Sequence, residues 1–229
     1  MKIRHGMILA AGLGKRMQPL TNKKPKPLLE IGGITLLERA INLLINHGVK
    51  EISLNVHHLG DQIEKYISDL KSEVKIKISN EKDSLLDTGG GVKKGTKDFK
   101  ENPFFVINPD TVWSNNYKDE ILKMEEIYFT KKIENILLLV NKKKSFDKKL
   151  MGDFNLKNNL VSRDAEKQFI YTGCQIINKK LFFRKKKEIY SILEIWNNLL
   201  THEKLYGYES QRNFYHLTDL EIFNKLKDH

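Results

Sequence analysis

The stretch LAAGLGKRMQPL at residues 9–20 joins small residues, glycines at positions 12 and 14, and the Lys15–Arg16 pair at the end of a short apolar run. Small residues let the backbone approach a ligand closely, and glycine lets successive N–H groups converge on phosphate oxygens. An arginine beside them can clamp those oxygens with two parallel hydrogen bonds. The chemistry indicated is the holding of a polyphosphate. The loop is not a Walker A motif, because GxxxxGK[ST] is absent. Met17 also stands where a dinucleotide-binding fingerprint needs its third glycine. Taken alone, the segment serves equally as a tight strand-to-helix turn with two exposed basic residues. PKPLLEIGG at 25–33 then places Lys26 between two prolines, which fix the flanking backbone, hold the lysine extended and let it reach back over the loop.

Such residues need elements to position them. Residues 6–11 read as a short buried strand running into the glycine-rich turn. Leu36, Leu37, Ala40, Ile41, Leu44 and Ile45 repeat at helical spacing, with Gly48 as the stop. Residues 51–58 and 74–79 alternate as strands, with a short amphipathic helix over 59–70 between them. The glycines at 89–91 open a helical stretch to Phe99, and PFFVIN at 103–108 is continuous enough for a central strand. A helix over 118–128 and a buried strand over 135–140 follow. The polar, lysine-rich segment 141–173 reads as an inserted hairpin or loop region beside the sheet. Ile189, Ile192, Leu193, Trp196, Leu199 and Leu200 share one helical face, and a short helix near 219–227 closes the chain. This alternation predicts an α/β fold: one Rossmann-like domain over 1–229, its open, mostly parallel sheet covered by helices on both faces.

Composition narrows the function classes. In 229 residues, 40% are hydrophobic, including 11 Phe and 8 Tyr, which excludes a wholly disordered chain. The longest apolar run, ILLLV at 136–140, is strand-sized and cannot cross a bilayer. The basic N-terminus has too short an apolar stretch for a secretory signal, and the single Cys174 suits a reducing cytoplasm. Net charge is +11, compatible with a polyanion partner. The lysines are nevertheless scattered, and the clusters Lys142–Lys144 and Arg184–Lys187 lack the interleaved aromatics that stack bases. The expectation is a cytoplasmic monomer or homodimer with no nucleic-acid or membrane partner.

LAAGLGKRMQPLT followed by PKPLLEIGG is similar to the two-part signature of the sugar-phosphate nucleotidyltransferases. Further matching segments are LNVHHLGDQI at 54–63, LLDTGGGVKK at 85–94, NPD at 108–110, GDF at 152–154 and YTGCQI at 171–176, so the resemblance covers nearly the whole chain. The LLDTGGG form, the short length and the YTG segment most resemble the N-acetylmuramate 1-phosphate uridylyltransferases and their relatives. The resemblance implies a GT-A-like three-layer sandwich, with residues 1–110 binding the nucleotide and 111–229 the sugar phosphate. The implied reaction joins a nucleoside triphosphate to a sugar 1-phosphate and releases pyrophosphate, with UTP and an amino-sugar 1-phosphate as the first pairing. Guanylyl transfer to mannose 1-phosphate and cytidylyl transfer to phosphocholine stay open. So does a function of another class, a regulatory nucleotide-binding protein with a weakened metal site.

By the same resemblance, Leu9, Ala10, Ala11, Gly12, Gly14 and Lys15 hold the nucleotide, Arg16 meets the β- and γ-phosphates, and Lys26 neutralises the α-phosphate. Asp110 ligates Mg²⁺, a hard cation that prefers oxygen. Thr88, Gly89 and Gly90 face the base and ribose, Asn55 and His57 line the pocket, and Glu81, Thr172 and Gly173 recognise the sugar. Read from the chain alone, Asp110 also serves as a strand-end turn residue and Gly89–Gly91 as a helix start. The chain departs from the family pattern twice. Asn-Gly-Asp becomes Asn108-Pro109-Asp110, and in FYHLTDLEIF at 214–223 His216 occupies the place of a second metal-binding aspartate. Histidine is a poor ligand for Mg²⁺, so either Asp110 with phosphates and water suffices for the metal, or His216 is a second ligand or a phosphate contact, or activity is reduced.

Overall fold

The computed structural model describes residues 2–164 and 166–227. The first half runs β1 (His5–Leu9), the hairpin β2 (Glu30–Ile31) and β3 (Ile34–Thr35), α1 (Leu36–His47), β4 (Glu51–Val56), α2 (Gly60–Asp69), β5 (Lys75–Asn80), α3 (Asp87–Gly95) and β6 (Phe104–Ile107). The second half runs α4 (Lys118–Thr130), β7 (Asn135–Asn141), β8 (Asn155–Lys157), β9 (Leu160–Ser162), β10 (Phe169–Ile177), α5 (Lys180–Phe183), α6 (Leu193–Thr201), β11 (Tyr206–Ser210) and α7 (Leu220–Leu226).

Local chemistry explains these elements. α1 starts where the Thr35 hydroxyl accepts the Glu38 amide at 3.0 Å. It ends at Gly48, whose φ of +107° is a left-handed conformation that glycine adopts without strain. Its apolar stripe lies directly on β1: a Cβ at Gly6 would stand 2.7 Å from Leu44 Cδ1. Side chains alternate along β1, so Ile8 packs with α1, α2 and α4 on one face while Met7 packs with α3, α5 and α6 on the other. The fully buried Leu44 and Phe104 anchor the two faces. Truncating either to alanine costs about 2–5 kcal/mol.

The nine-stranded sheet has the order β5-β4-β1-β6-β10-β7-β11-β9-β8. β5, β4, β1 and β6 are mutually parallel. β10 then pairs antiparallel with both β6 and β7, and β11 parallel with β7. The segment 141–173 does contain an edge hairpin, β8–β9, but Phe169 begins a central strand rather than a loop. Thr172, Gly173 and Gln175 interrupt the apolar run of β10 and accompany a register shift between Tyr171 and Gln175, which hid it from a reading by periodicity. No helix among the described residues is long and apolar enough to cross a membrane.

One consequence of the topology matters most. The carboxyl ends of the four parallel strands open on one edge of the sheet, where α/β sheets form their binding crevices. A smaller apolar cluster of Met17, Leu29, Ile31, Leu36, Leu217, Ile222 and Leu226 fastens the 217–226 segment beneath the loop that follows β1.

Candidate active site

The loop after β1 is shaped by its own hydrogen bonds. Gly14 has φ +62°, and a Cβ there would lie 2.8 Å from Thr21 Cγ2, so only glycine fits the turn. The Gly14 carbonyl accepts from the Met17 amide at 2.8 Å and the Thr21 hydroxyl at 2.9 Å. At its start, the Ala10 amide donates to Asn55 Oδ1 at 2.8 Å. Pro25 is extended as expected, but Lys26 itself begins a short 3-10 turn over Lys26–Leu28 instead of continuing the extended chain. That turn aims the ammonium inward.

Lys26 Nζ donates to Asp110 Oδ2 at 2.7 Å. The second carboxylate oxygen, Asp110 Oδ1, is buried and has no hydrogen-bond partner. His216 Nδ1 lies 3.7 Å from it. Two short segments running antiparallel create this proximity: the Leu217 amide donates to the Asp110 carbonyl and the Val112 amide to the Tyr215 carbonyl, each at 2.8 Å. Burial alone would raise the Asp110 carboxyl, but Lys26 and His216 hold it well below the usual carboxylate range. Burial lowers the His216 imidazole, opposed by Asp110 and reinforced by Lys26 and Arg16. At neutral pH the Asp110 carboxylate is therefore ionised and the His216 imidazole neutral, with Lys26 hydrogen-bonded to the carboxylate.

A cavity of about 370 Å³ opens beside these groups. Leu9, Ala10, Ala11, Gly12, Gly14, Lys15 and Arg16 line it from one side. Lys26, Asn55, Glu81, Thr88 and Asp110 complete the sequence-predicted wall. Asn55 and Glu81 are committed to the scaffold, with Asn55 Nδ2 donating to Glu81 Oε1 at 2.7 Å and the Leu86 amide to Glu81 Oε2 at 2.9 Å. Glu81 thus accepts one hydrogen bond on each carboxylate oxygen while still lining the cavity.

Other expected residues lie off the wall. Gly89 and Gly90 donate their amides to the Tyr190 carbonyl at 2.9 and 3.1 Å, and a Cβ at either would strike Tyr190 or the Glu188 carbonyl. Their smallness serves the seat of α3 on the 188–190 segment rather than contact with a base. His57 Nδ1 donates to the Glu81 carbonyl at 2.9 Å. The buried Thr172 hydroxyl donates to the Leu138 carbonyl at 2.9 Å, and the Gly173 carbonyl accepts the Asn108 amide at 2.7 Å. His216 stands behind Asp110, outside the lining.

The wall also includes Leu85, Asp87, Asn108 and Thr218, which sequence reasoning missed. Asp87 and Leu85 carried a signal, since they share the LLDTGGG run, and Leu85 is an exposed apolar residue on the cavity rim. Thr218 arrives from the far end of the chain, inside the FYHLTDLEIF segment two residues after His216. Among the described residues no group of three or more His, Cys, Asp or Glu can hold a metal ion alone. Asp110, with one unpaired buried oxygen, fits a divalent cation whose other positions are filled by phosphate oxygens and water.

The family profile described as nucleotidyl transferase matches residues 5–147. The chain is 28% identical to N-acetylmuramate alpha-1-phosphate uridylyltransferase of Caulobacter vibrioides, over 93% of this chain and 91% of that protein. It is 31% identical to D-glycero-alpha-D-manno-heptose 1-phosphate guanylyltransferase of Campylobacter jejuni, over 77% of this chain and 76% of that protein. Its fold is similar to that of HddC from Yersinia pseudotuberculosis, with a TM-score of 0.77 at 23% identity and 98% of both chains covered. The inositol-1-phosphate CTP transferase of T. maritima gives a TM-score of 0.78 at 18% identity, covering 99% of this chain and 97% of that one. With the profile spanning more than half of the chain and the relatives spanning most of it, the protein belongs to the nucleotidyl transferase family, as a sugar-phosphate nucleotidyltransferase.

Proposed function

We propose that this enzyme transfers a uridylyl group from UTP to N-acetylmuramate 1-phosphate or a related amino-sugar 1-phosphate. A phosphate oxygen of the sugar 1-phosphate attacks the α-phosphorus, the bond to the bridging β-oxygen breaks, and pyrophosphate leaves with that electron pair. The attacking oxygen is already ionised at neutral pH, so no general base is needed, and the obstacle is repulsion between two anions. The glycine loop places backbone N–H groups along the triphosphate, and Arg16 neutralises its outer phosphates. Lys26 faces the α-phosphate, where negative charge grows during attack. A fixed cation so placed is worth roughly 3–4 kcal/mol in the transition state. Asp110 holds a divalent cation, Mg²⁺ where oxygen ligands alone surround it, which supplies charge neutralisation when bound. The N-terminal half binds the nucleotide and the C-terminal half the sugar phosphate.

The observation that carries this reading is the Lys26–Asp110 pair, at 2.7 Å, on the wall of the cavity edged by the glycine loop. The choice of UTP and an amino sugar rests on the full-length similarity to the Caulobacter protein. Pyrophosphate release, measured with each nucleoside triphosphate against a panel of sugar 1-phosphates, tests it. The expected maximum is UTP with N-acetylmuramate 1-phosphate. A maximum with GTP and a heptose or mannose 1-phosphate reassigns the substrates, and tight triphosphate binding with no release under any pairing overturns catalysis.

A further inference from the structure

We propose that the connection between α5 and α6 docks this protein on an anionic membrane surface. Phe183, Ile189 and Leu193 enter the headgroup layer, and Arg184, Lys186 and Lys187 meet the lipid phosphates. The attachment is peripheral, and it replaces the expectation of no membrane partner.

Cations and exposed apolar side chains coincide in this part of the chain. Residues 179–187, KKLFFRKKK, hold six cations in nine positions and no acid. Of the seven large apolar side chains exposed among the described residues, three fall between positions 183 and 193: Phe183 at 45%, Ile189 at 56% and Leu193 at 45%. Single exposed apolar residues need no explanation, whereas a group of them rimmed by charge marks an interaction surface.

The backbone of the segment is turned toward the protein. Lys93 Nζ, on α3, donates to the Lys185 carbonyl at 2.6 Å and to the Lys187 carbonyl at 3.3 Å. The Tyr190 amide donates to the Leu86 carbonyl at 3.2 Å. Glu194, beside Leu193 in the first turn of α6, lies 3.1 Å from Lys185 and 3.5 Å from Lys187. At the other end, Lys179 Nζ stands 5.1 Å from the centre of the Phe183 ring. Buried residues of α5, α6 and the segment itself, Phe182, Tyr190 and Ile195, pack with α3 in one apolar layer. The three exposed apolar side chains therefore stand on the outer side of that layer, among the cations. Arg184 and Lys186 are exposed and pair with no carboxylate among the described residues.

A bilayer fits both halves of this surface. Lysine and arginine gain from the negative potential of an anionic leaflet, and apolar side chains gain from burial at the acyl boundary. A nucleic acid would meet the cations but leave Ile189 and Leu193 in water, since neither has a ring on which a base can stack. A second copy of this chain, itself carrying +11, would bring cations against cations. None of residues 179–194 lines the cavity beside Lys26 and Asp110, so the surface is separate from that site.

Flotation of the full chain with lipid vesicles tests the proposal. Binding to phosphatidylcholine vesicles carrying about 30% phosphatidylglycerol is expected to exceed binding to phosphatidylcholine alone by about tenfold or more. It should weaken by about tenfold between roughly 50 and 300 mM salt. Phe183→Ser/Ile189→Ser/Leu193→Ser and Arg184→Glu/Lys186→Glu are each expected to lose about tenfold in binding while melting like the wild type. Lys118→Glu/Lys123→Glu makes the same charge change at exposed positions of α4, on the opposite face of the sheet, and is expected to keep binding. No binding to the anionic vesicles, wild-type binding by either patch variant, or an equal loss in the α4 variant overturns the proposal. Binding of duplex DNA that the patch variants lose, with no binding of vesicles, assigns the surface to a nucleic acid and overturns it as well.

Discussion

Asn55 and Glu81, at the carboxyl ends of the neighbouring strands β4 and β5, are joined side chain to side chain at 2.7 Å, and each holds a different wall of the cavity. Asn55 Oδ1 takes the Ala10 amide at the start of the glycine loop, and Glu81 Oε2 takes the Leu86 amide at the opposite rim. Asn55→Ala leaves a buried amide and a carboxylate oxygen without partners. The expected cost is about 1–3 kcal/mol in urea unfolding. KM for the triphosphate is expected to rise more than kcat falls, because the loop loses its anchor while Lys26 and Asp110 stay in place. Unchanged stability and kinetics would show that this bridge positions nothing.

Asp110→Ala and Lys26→Ala are expected to fold and to lose turnover by about 10²–10³-fold or more. Lys26 and Asp110 are only partly buried and sit on the cavity wall, so removing either leaves both apolar layers of the sheet intact. Circular dichroism and steady-state pyrophosphate release read the two effects separately. Full turnover in Asp110→Ala removes its metal role, and a Lys26→Ala chain that unfolds makes the pair structural.

Two glycines on the same argument give opposite outcomes. A Cβ at Gly91 would lie 2.7 Å from Asn55 Nδ2 and 2.8 Å from Glu81 Oε1. Gly91→Ala therefore disrupts the bridge and is expected to destabilise by about 1–3 kcal/mol. At Gly12 a Cβ meets nothing within 4 Å. Gly12→Ala should melt like the wild type and bind the triphosphate more weakly, because its methyl projects at the phosphate loop. Melting curves with and without nucleotide distinguish the pair.

Stability should fall on mild acidification. Burial lowers His5 from its ordinary value of 6.5, against the pull of Glu101 and Glu51. The unfolded chain therefore takes up this proton at a higher pH than the folded chain does. The contribution is complete above pH 6.5 and is lost as the pH falls through the folded-state value, with a slope of at most about 1.4 kcal/mol per pH unit for one proton. Urea unfolding from pH 7.5 to 5, without added metal, is expected to show a shallower slope in His5→Phe, the similarly lowered His216 retaining its share. An identical slope in His5→Phe would assign the effect to other groups.

What the sequence determined by itself was whatever short-range chemistry dictates. The strand-to-loop passage at Leu9–Gly14, the helix α1 between Thr35 and Gly48, and the strand ending before Asp110 follow from glycine placement, capping and apolar spacing over a few residues. Those signals also placed Lys26 and Asp110 where a parallel sheet opens its crevice. Only the tertiary structure decided the rest. β10 carries polar residues inside the sheet because Thr172 and Gln175 find partners on other segments, Leu138 for one and Asn135 and Trp196 for the other, which no local pattern reveals. Glu81 and Asn55 became mutual anchors, and Gly89 and Gly90 a helix seat, because their partners Ala10 and Tyr190 lie far off in sequence. His216 stands beside Asp110 through a backbone pairing between distant segments. Spacing along a chain fixes residues that share a turn or a strand, whereas hydrogen bonds and packing between separate segments exist only once the chain has folded.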